Sequence, residues 1–155
     1  MRRTSGVLNH TANHASGAKI LVVEDSAAMR ARMVLELAEL GGVEEILQAE
    51  DLASGLSLLE AHLPAVAVLD LHLRTELVFP ILERIQERQL PTVSIIFSNA
   101  GAGPLKDACL RLGARAFLSK SSGFEDVLNA VSNLLPSSPS SRPENSAAPQ
   151  KPESN

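Results

Sequence analysis

Apolar positions recur along this chain in two rhythms. Short apolar runs, KILVV (19–23), EEILQA (44–49), AVAVL (65–69), TVSIIF (92–97) and RAFLS (115–119), are too brief for helices and mostly β-branched or aromatic, which predicts five strands. Each is followed by a stretch of helical period. These are 26–40 with Met29, Met33, Leu37 and Leu40, then 51–62 with Leu52, Leu56 and Leu59, then 76–89 with Leu82 and Ile85. The series continues with 104–112, opened by Pro104 and closed by Gly113, and with 123–135, carrying Phe124, Val127, Leu128, Val131 and Leu135. Strands separated by helices of this length cannot pair through tight hairpins, so the sheet is predicted to be parallel, with right-handed crossovers and helices on both faces. Near-continuous apolarity in the first, third and fourth strands fits burial on two faces, while Glu44 and Glu45 mark the second as an edge. This is the doubly wound α/β class, whose ligands bind beyond the carboxyl ends of the strands where strand order reverses.

Both ends of the chain break the rhythm. Residues 1–17 are small, polar and aperiodic, and residues 136–155 hold five of the nine prolines and six serines, so both are expected to be disordered tails around one domain at 18–135. His10 and His14 stand four apart in the first tail, but neither a helical pattern nor further ligands accompany them. With 155 residues, 45% of them hydrophobic, the chain can bury one full core. A net charge of −4 lacks the basic excess that binding to a phosphate backbone requires, and no Trp, no Tyr and four Phe leave little for base stacking. Direct nucleic-acid binding is therefore not expected. The N-terminal stretch lacks the apolar core of a signal sequence and no run approaches membrane-spanning length, so a cytoplasmic protein without membrane contact is expected. Cys109, the one cysteine, falls in an apolar helical pattern and reads as core.

The chemistry gathers at the strand ends. AVAVLDLHL (65–73) suits a buried strand yet carries Asp70, and a carboxylate is not buried without compensation. The other buried strands end in Glu24 and Asp25, in Ser98 and Asn99, and in Lys120. In a parallel sheet these residues converge on one edge. Three carboxylates in a partly dry crevice repel one another unless a cation sits among them, and Mg2+, a hard ion that accepts one or two carboxylates plus a phosphate oxygen, suits the site. An aspartate beside a divalent cation and an ammonium can act as a nucleophile toward phosphorus. The three equatorial oxygens of a transferring phosphoryl group would then meet the metal, Lys120, and the Ser98 hydroxyl with the Asn99 backbone N–H. Taken singly, these residues have plainer readings: Glu24 and Asp25 as helix caps, Lys120 as a solvated loop lysine, Ser98 as a turn residue, and His62 and His72 as exposed loop or helix-end residues. Only their convergence makes a site.

In ILVVEDSAAMR, VAVLDLHL, SIIFSNA and GARAFLSKS, with 45 residues from Asp25 to Asp70, 28 more to Ser98 and 22 more to Lys120, the chain resembles the receiver domains of two-component response regulators. The resemblance implies a single flavodoxin-like (βα)5 domain of three layers with strand order 2-1-3-4-5. It implies that Asp70 is the phosphoacceptor, that Asp25 binds Mg2+ with Glu24 helping through water, and that the His72 backbone carbonyl completes the protein's metal ligands. It further implies that Ser98 is a switch hydroxyl and Phe117 a switch aromatic. The phosphodonor would be a bacterial sensor histidine kinase or histidine phosphotransfer protein. Only a short tail follows the last helix, so the output is expected to be an unidentified protein that reads the fourth helix, fifth strand and fifth helix of a stand-alone, chemotaxis-regulator-like domain.

Two departures from that family pattern stand out. Ser121 occupies the place after Lys120 where a proline is usual, and RTELVFP (74–80) lacks the proline and glycine typical of the loop after the acceptor. His72, two residues beyond the acceptor, is expected to hinder an attacking water and lengthen the phosphorylated state. The alternatives are a pseudo-receiver that binds partners without phosphate, and a metal-dependent aspartyl-phosphate phosphatase. Phosphatases of the haloacid dehalogenase type need a D-x-D pair that VVEDS does not provide, and a dinucleotide enzyme needs glycines that EDSAAM lacks. The reading is thus a phosphoacceptor rather than an enzyme.

Overall fold

The computed structural model describes residues 17–99, 101 and 103–136. Apart from Gly17 and Pro136, the two predicted tails, His10 and His14 among them, lie outside the described residues. Five parallel strands form the central sheet: β1 (Ala18–Val23), β2 (Val43–Ala49), β3 (Val66–Leu69), β6 (Val93–Ser98) and β7 (Ala116–Ser119). Their order is β2-β1-β3-β6-β7, the predicted 2-1-3-4-5 once a small hairpin, β4 (His72–Leu73) and β5 (Glu76–Leu77), is set aside. As predicted, β2 is an edge.

Period-two alternation divides each central strand between two cores. From β1, Leu21 and Val23 face one side and Ile20 and Val22 the other, and all four are fully buried. Helices α2 (Leu52–His62), α3 (Phe79–Glu87) and α4 (Pro104–Arg111) cover the first face through Leu59, Ile81, Leu82 and Cys109. The second face is covered by α1 (Ala27–Ala38) and α5 (Glu125–Ser132) through Met33, Leu37, Val127 and Val131. Each such aliphatic side chain contributes roughly 1.5–3 kcal/mol on burial. Cys109 is core as expected, and burial pushes its thiol up from the ordinary range. Helix α4 opens on Pro104 and is closed by Gly113, whose φ of 98° suits a residue without Cβ.

The third helix departs from expectation. It starts at Phe79 instead of residue 76, because Leu71 and Leu73 alternate into the core with the exposed His72 between them, and the exposed Arg74 and Thr75 then form a two-residue turn into Glu76–Leu77. Pro80 then sits in the first helical turn, where its missing N–H costs nothing. The hairpin therefore occupies the stretch immediately after Asp70.

Candidate functional site

Parallel register aligns the strand ends. Val23 of β1 pairs with Leu69 of β3, and the Asp70 N–H donates to the Val23 carbonyl at 3.0 Å, while the Glu24 N–H donates to that of Ala49 at 3.0 Å. Ser98 closes β6 opposite Ser119 of β7, and Lys120 follows directly. Residues 96 positions apart in the chain thereby meet on one edge of the sheet.

Glu24, Asp25 and Asp70 each direct a carboxylate oxygen to a common point, with the three oxygens within 4.8 Å of one another. The Lys120 ammonium bonds two of these three carboxylates. Its Nζ donates to Glu24 Oε1 at 2.8 Å and to Asp70 Oδ2 at 3.1 Å. The Lys120, Glu24 and Asp70 side chains are only 8%, 2% and 10% exposed, which excludes the reading of Lys120 as a solvated loop residue. Burial raises the pKa of Glu24, against the hydrogen bonds it accepts from Lys120 and Ser26. Burial alone would lower that of Lys120, yet its bonds and charge attraction to Glu24 and Asp70 carry it upward, so it remains an ammonium at neutral pH.

One ammonium against three carboxylates leaves a formal charge of −2 on a cluster of hard oxygen donors. That donor set and that residual charge fit a divalent cation of the Mg2+ type, which prefers carboxylates in small number and retains waters.

Local structure prepares each group. Helix α1 is capped by Ser26, whose Oγ accepts the Met29 N–H at 3.2 Å, rather than by either acid. Glu24 does take part in the turn, its Oε2 accepting the Ser26 N–H at 3.0 Å. Arg30 donates to the Glu24 carbonyl at 2.6 Å and ties the start of α1 to the end of β1. Beyond β7, a short 3-10 turn (Lys120–Ser122) carries the chain away, with the Ser119 Oγ accepting the Ser121 N–H at 3.1 Å. Two serines thus shape the turn that the usual proline would occupy, and among the described residues every peptide bond is trans.

The remaining sequence candidates surround this cluster. Ser98 is buried at the end of β6, and Asn99, next to it, is exposed. His72 is exposed, and its backbone N–H points toward Asp70 Oδ1 at a long 3.4 Å. Phe117 is half-buried, paired opposite Ile96 and packed against the core beneath α2, α3 and α4. Sequence reasoning missed the Arg74 N–H, which donates to Asp25 Oδ2 at 2.8 Å, and the Arg30 anchor. Alternation around Arg74 and Thr75 was a usable signal, but that pair lacks the Asn-Gly or Asp-Gly signature of a two-residue hairpin turn.

Fold and edge cluster together define a doubly wound α/β protein with a cation-ready carboxylate site at its topological switch point. The model of the response regulator receiver domain family matches residues 20–132, and the chain belongs to that family. Similar curated proteins include the photosynthetic apparatus regulatory protein RegA of Rhodobacter capsulatus, 28% identical over 116 residues, or 75% of this chain and 62% of that protein. The acid tolerance regulatory protein ActR of Rhizobium meliloti is 29% identical over 112 residues, 72% of this chain and 57% of that one. Among solved structures, the signal receiver domain of NarL from Mycobacterium tuberculosis superposes with a TM-score of 0.70 at 28% identity, covering 76% of this chain and 95% of that domain. The chain spans between half and two thirds of the length of the curated relatives it matches.

Proposed function

We propose that Asp70 accepts a phosphoryl group from the phosphohistidine of a sensor histidine kinase or histidine phosphotransfer protein, and that the resulting charge controls binding of an output protein. The observation that carries this reading is the Lys120 ammonium held between Glu24 and Asp70 inside a three-carboxylate cluster, in a chain of the receiver family. An Asp70 carboxylate oxygen forms the new O–P bond as the P–N bond of the donor breaks, and the released imidazole takes a proton from solvent. Lys120 supplies fixed positive charge for the oxygens of the transferring group, and needs no reorganisation because it is already buried against Asp70. Ser98 and the Asn99 N–H receive a further phosphoryl oxygen. Asp25 and Asp70, two members of the carboxylate cluster, would hold Mg2+, with Glu24 acting through water and the His72 carbonyl as a further ligand, and the ion would supply positive charge for the phosphoryl oxygens.

On this reading the domain, over residues 18–135, is a phosphoacceptor rather than a turnover enzyme. Phosphorylation biases a two-state element through Ser98 and Phe117, and a partner reads α4, β7 and α5. NarL of Mycobacterium tuberculosis bears the name of a probable transcriptional regulatory protein. Control of transcription is therefore a second reading of the output, reached through a partner or further chain.

Incubation with Mg2+ and acetyl phosphate, followed by a phosphate-affinity gel, tests the acceptor. A retarded band for the wild-type chain that is absent from Asp70→Asn is expected. A band in both, or in neither, overturns the assignment.

A further inference from the structure

The hairpin after Asp70 does more than connect β3 to α3. Its base is fixed in the core: Leu71, Leu73 and Val78 are essentially fully buried, and the Val78 N–H donates to the Leu71 carbonyl at 2.9 Å. Its tip, two residues wide, reaches Asp25 from 49 positions away and gives the Arg74 N–H to Asp25 Oδ2 at 2.8 Å. While Lys120 serves Glu24 and Asp70, the half-buried Asp25 is oriented by main chain. Arg74 makes this bond from a left-handed conformation, φ 60°, which residues with a Cβ adopt at a cost and β-branched residues adopt worst.

We propose that Arg74 is a positioning residue for the cation site, acting through its backbone N–H, and that the left-handed propensity of residue 74 sets how well Asp25 is preorganised. The inference rests on the proposed reading of the acidic cluster as a Mg2+ site. A hydrogen bond to one oxygen of Asp25 restricts rotation of the carboxylate, so ion binding has less of it to order. The guanidinium is incidental on this view: it lies at the rim, 3.9 Å from Glu50, with both groups more than half exposed.

The test titrates the 155-residue chain with Mg2+ alone and follows backbone amide resonances, a probe that needs no tryptophan. Arg74→Gly, Arg74→Asn and Arg74→Val all remove the same charge, so they differ in left-handed propensity rather than electrostatics. Gly and Asn variants are expected to bind Mg2+ at least as tightly as wild type, and the Val variant roughly three- to tenfold more weakly than the Asn variant. Equal affinity of the Asn and Val variants overturns the proposal and leaves the Mg2+ site standing, whereas a wild-type chain that binds no Mg2+ overturns both. Should the Val variant fail to fold, the Arg74 amide proton reads the same bond directly. In the wild type it should lie downfield and exchange slowly, and Asp25→Ala should abolish both properties. The same position and exchange rate in the two proteins overturns the proposal.

Discussion

Lys120 shows how much of a residue's character is set by its neighbours. An isolated lysine on a loop is solvated and mobile, but this one is buried against two carboxylates at 2.8 and 3.1 Å, and those charges outweigh the burial that would otherwise neutralise it. Asp70 is thereby a buried carboxylate with a standing counter-charge, which answers why an acid ends an apolar strand. His72 is exposed, with its backbone nitrogen 3.4 Å from Asp70 Oδ1. If its imidazole obstructs the approach of water to a phosphorylated Asp70, His72→Ala should lose phosphate several-fold faster than wild type. Following loss of label from purified phosphoprotein checks this, and equal rates would remove His72 from any account of the lifetime.

At the scale of elements, the starts of α1 and α2 are each fixed by a local side-chain bond. Helix α2 begins at Asp51, whose Oδ1 accepts from the Ser54 N–H at 2.8 Å and from the Ser54 hydroxyl. These bonds hold the Asp51 carboxyl below its ordinary pKa. A depressed carboxylate pKa contributes stability that is present above the unfolded-state value and is lost as pH falls through the folded-state value. Asp51→Ala should therefore lower the melting temperature by a few degrees at neutral pH, and the gap from wild type should close as pH drops below the aspartate range. Melting curves by circular dichroism across pH 2 to 7 measure it, and a gap independent of pH would assign the effect to helix propensity instead. The hairpin of β4 and β5 is placed instead by packing. Its placement follows from the core demand of Leu71, Leu73 and Val78, which overrode the helical period expected from residue 76.

For the whole molecule, the acidic edge is a local liability in the absence of a cation. Glu24 is raised by its own burial, which means that its charged form is less favourable in the folded chain than in the unfolded one. A cation that binds only the folded state stabilises it by mass action, about 2.7 kcal/mol at a concentration one hundred times the dissociation constant. Melting temperature should therefore climb with Mg2+ concentration for wild type and stay flat for Asp25→Ala. A parallel rise in both would place the ion elsewhere on the protein. The two cores on either face of the sheet carry the rest of the stability, and their division follows from the alternation in β1, β3 and β6.

The five strands of the central sheet, their parallel pairing, the edge position of β2 and the candidate residues at the strand ends were legible in the sequence, because side-chain periodicity is local and a parallel sheet sends every strand end to the same side; the hairpin of β4 and β5 was not. Cys109 was legible as core for the same reason. Tertiary structure alone decided that Lys120 is buried between Glu24 and Asp70, that Ser119 and Ser121 shape the turn beyond it, and that the Arg74 N–H reaches Asp25. Burial depends on what distant segments bring over a residue. A backbone donor is common to every residue but proline, so only folding determines which one meets a given carboxylate.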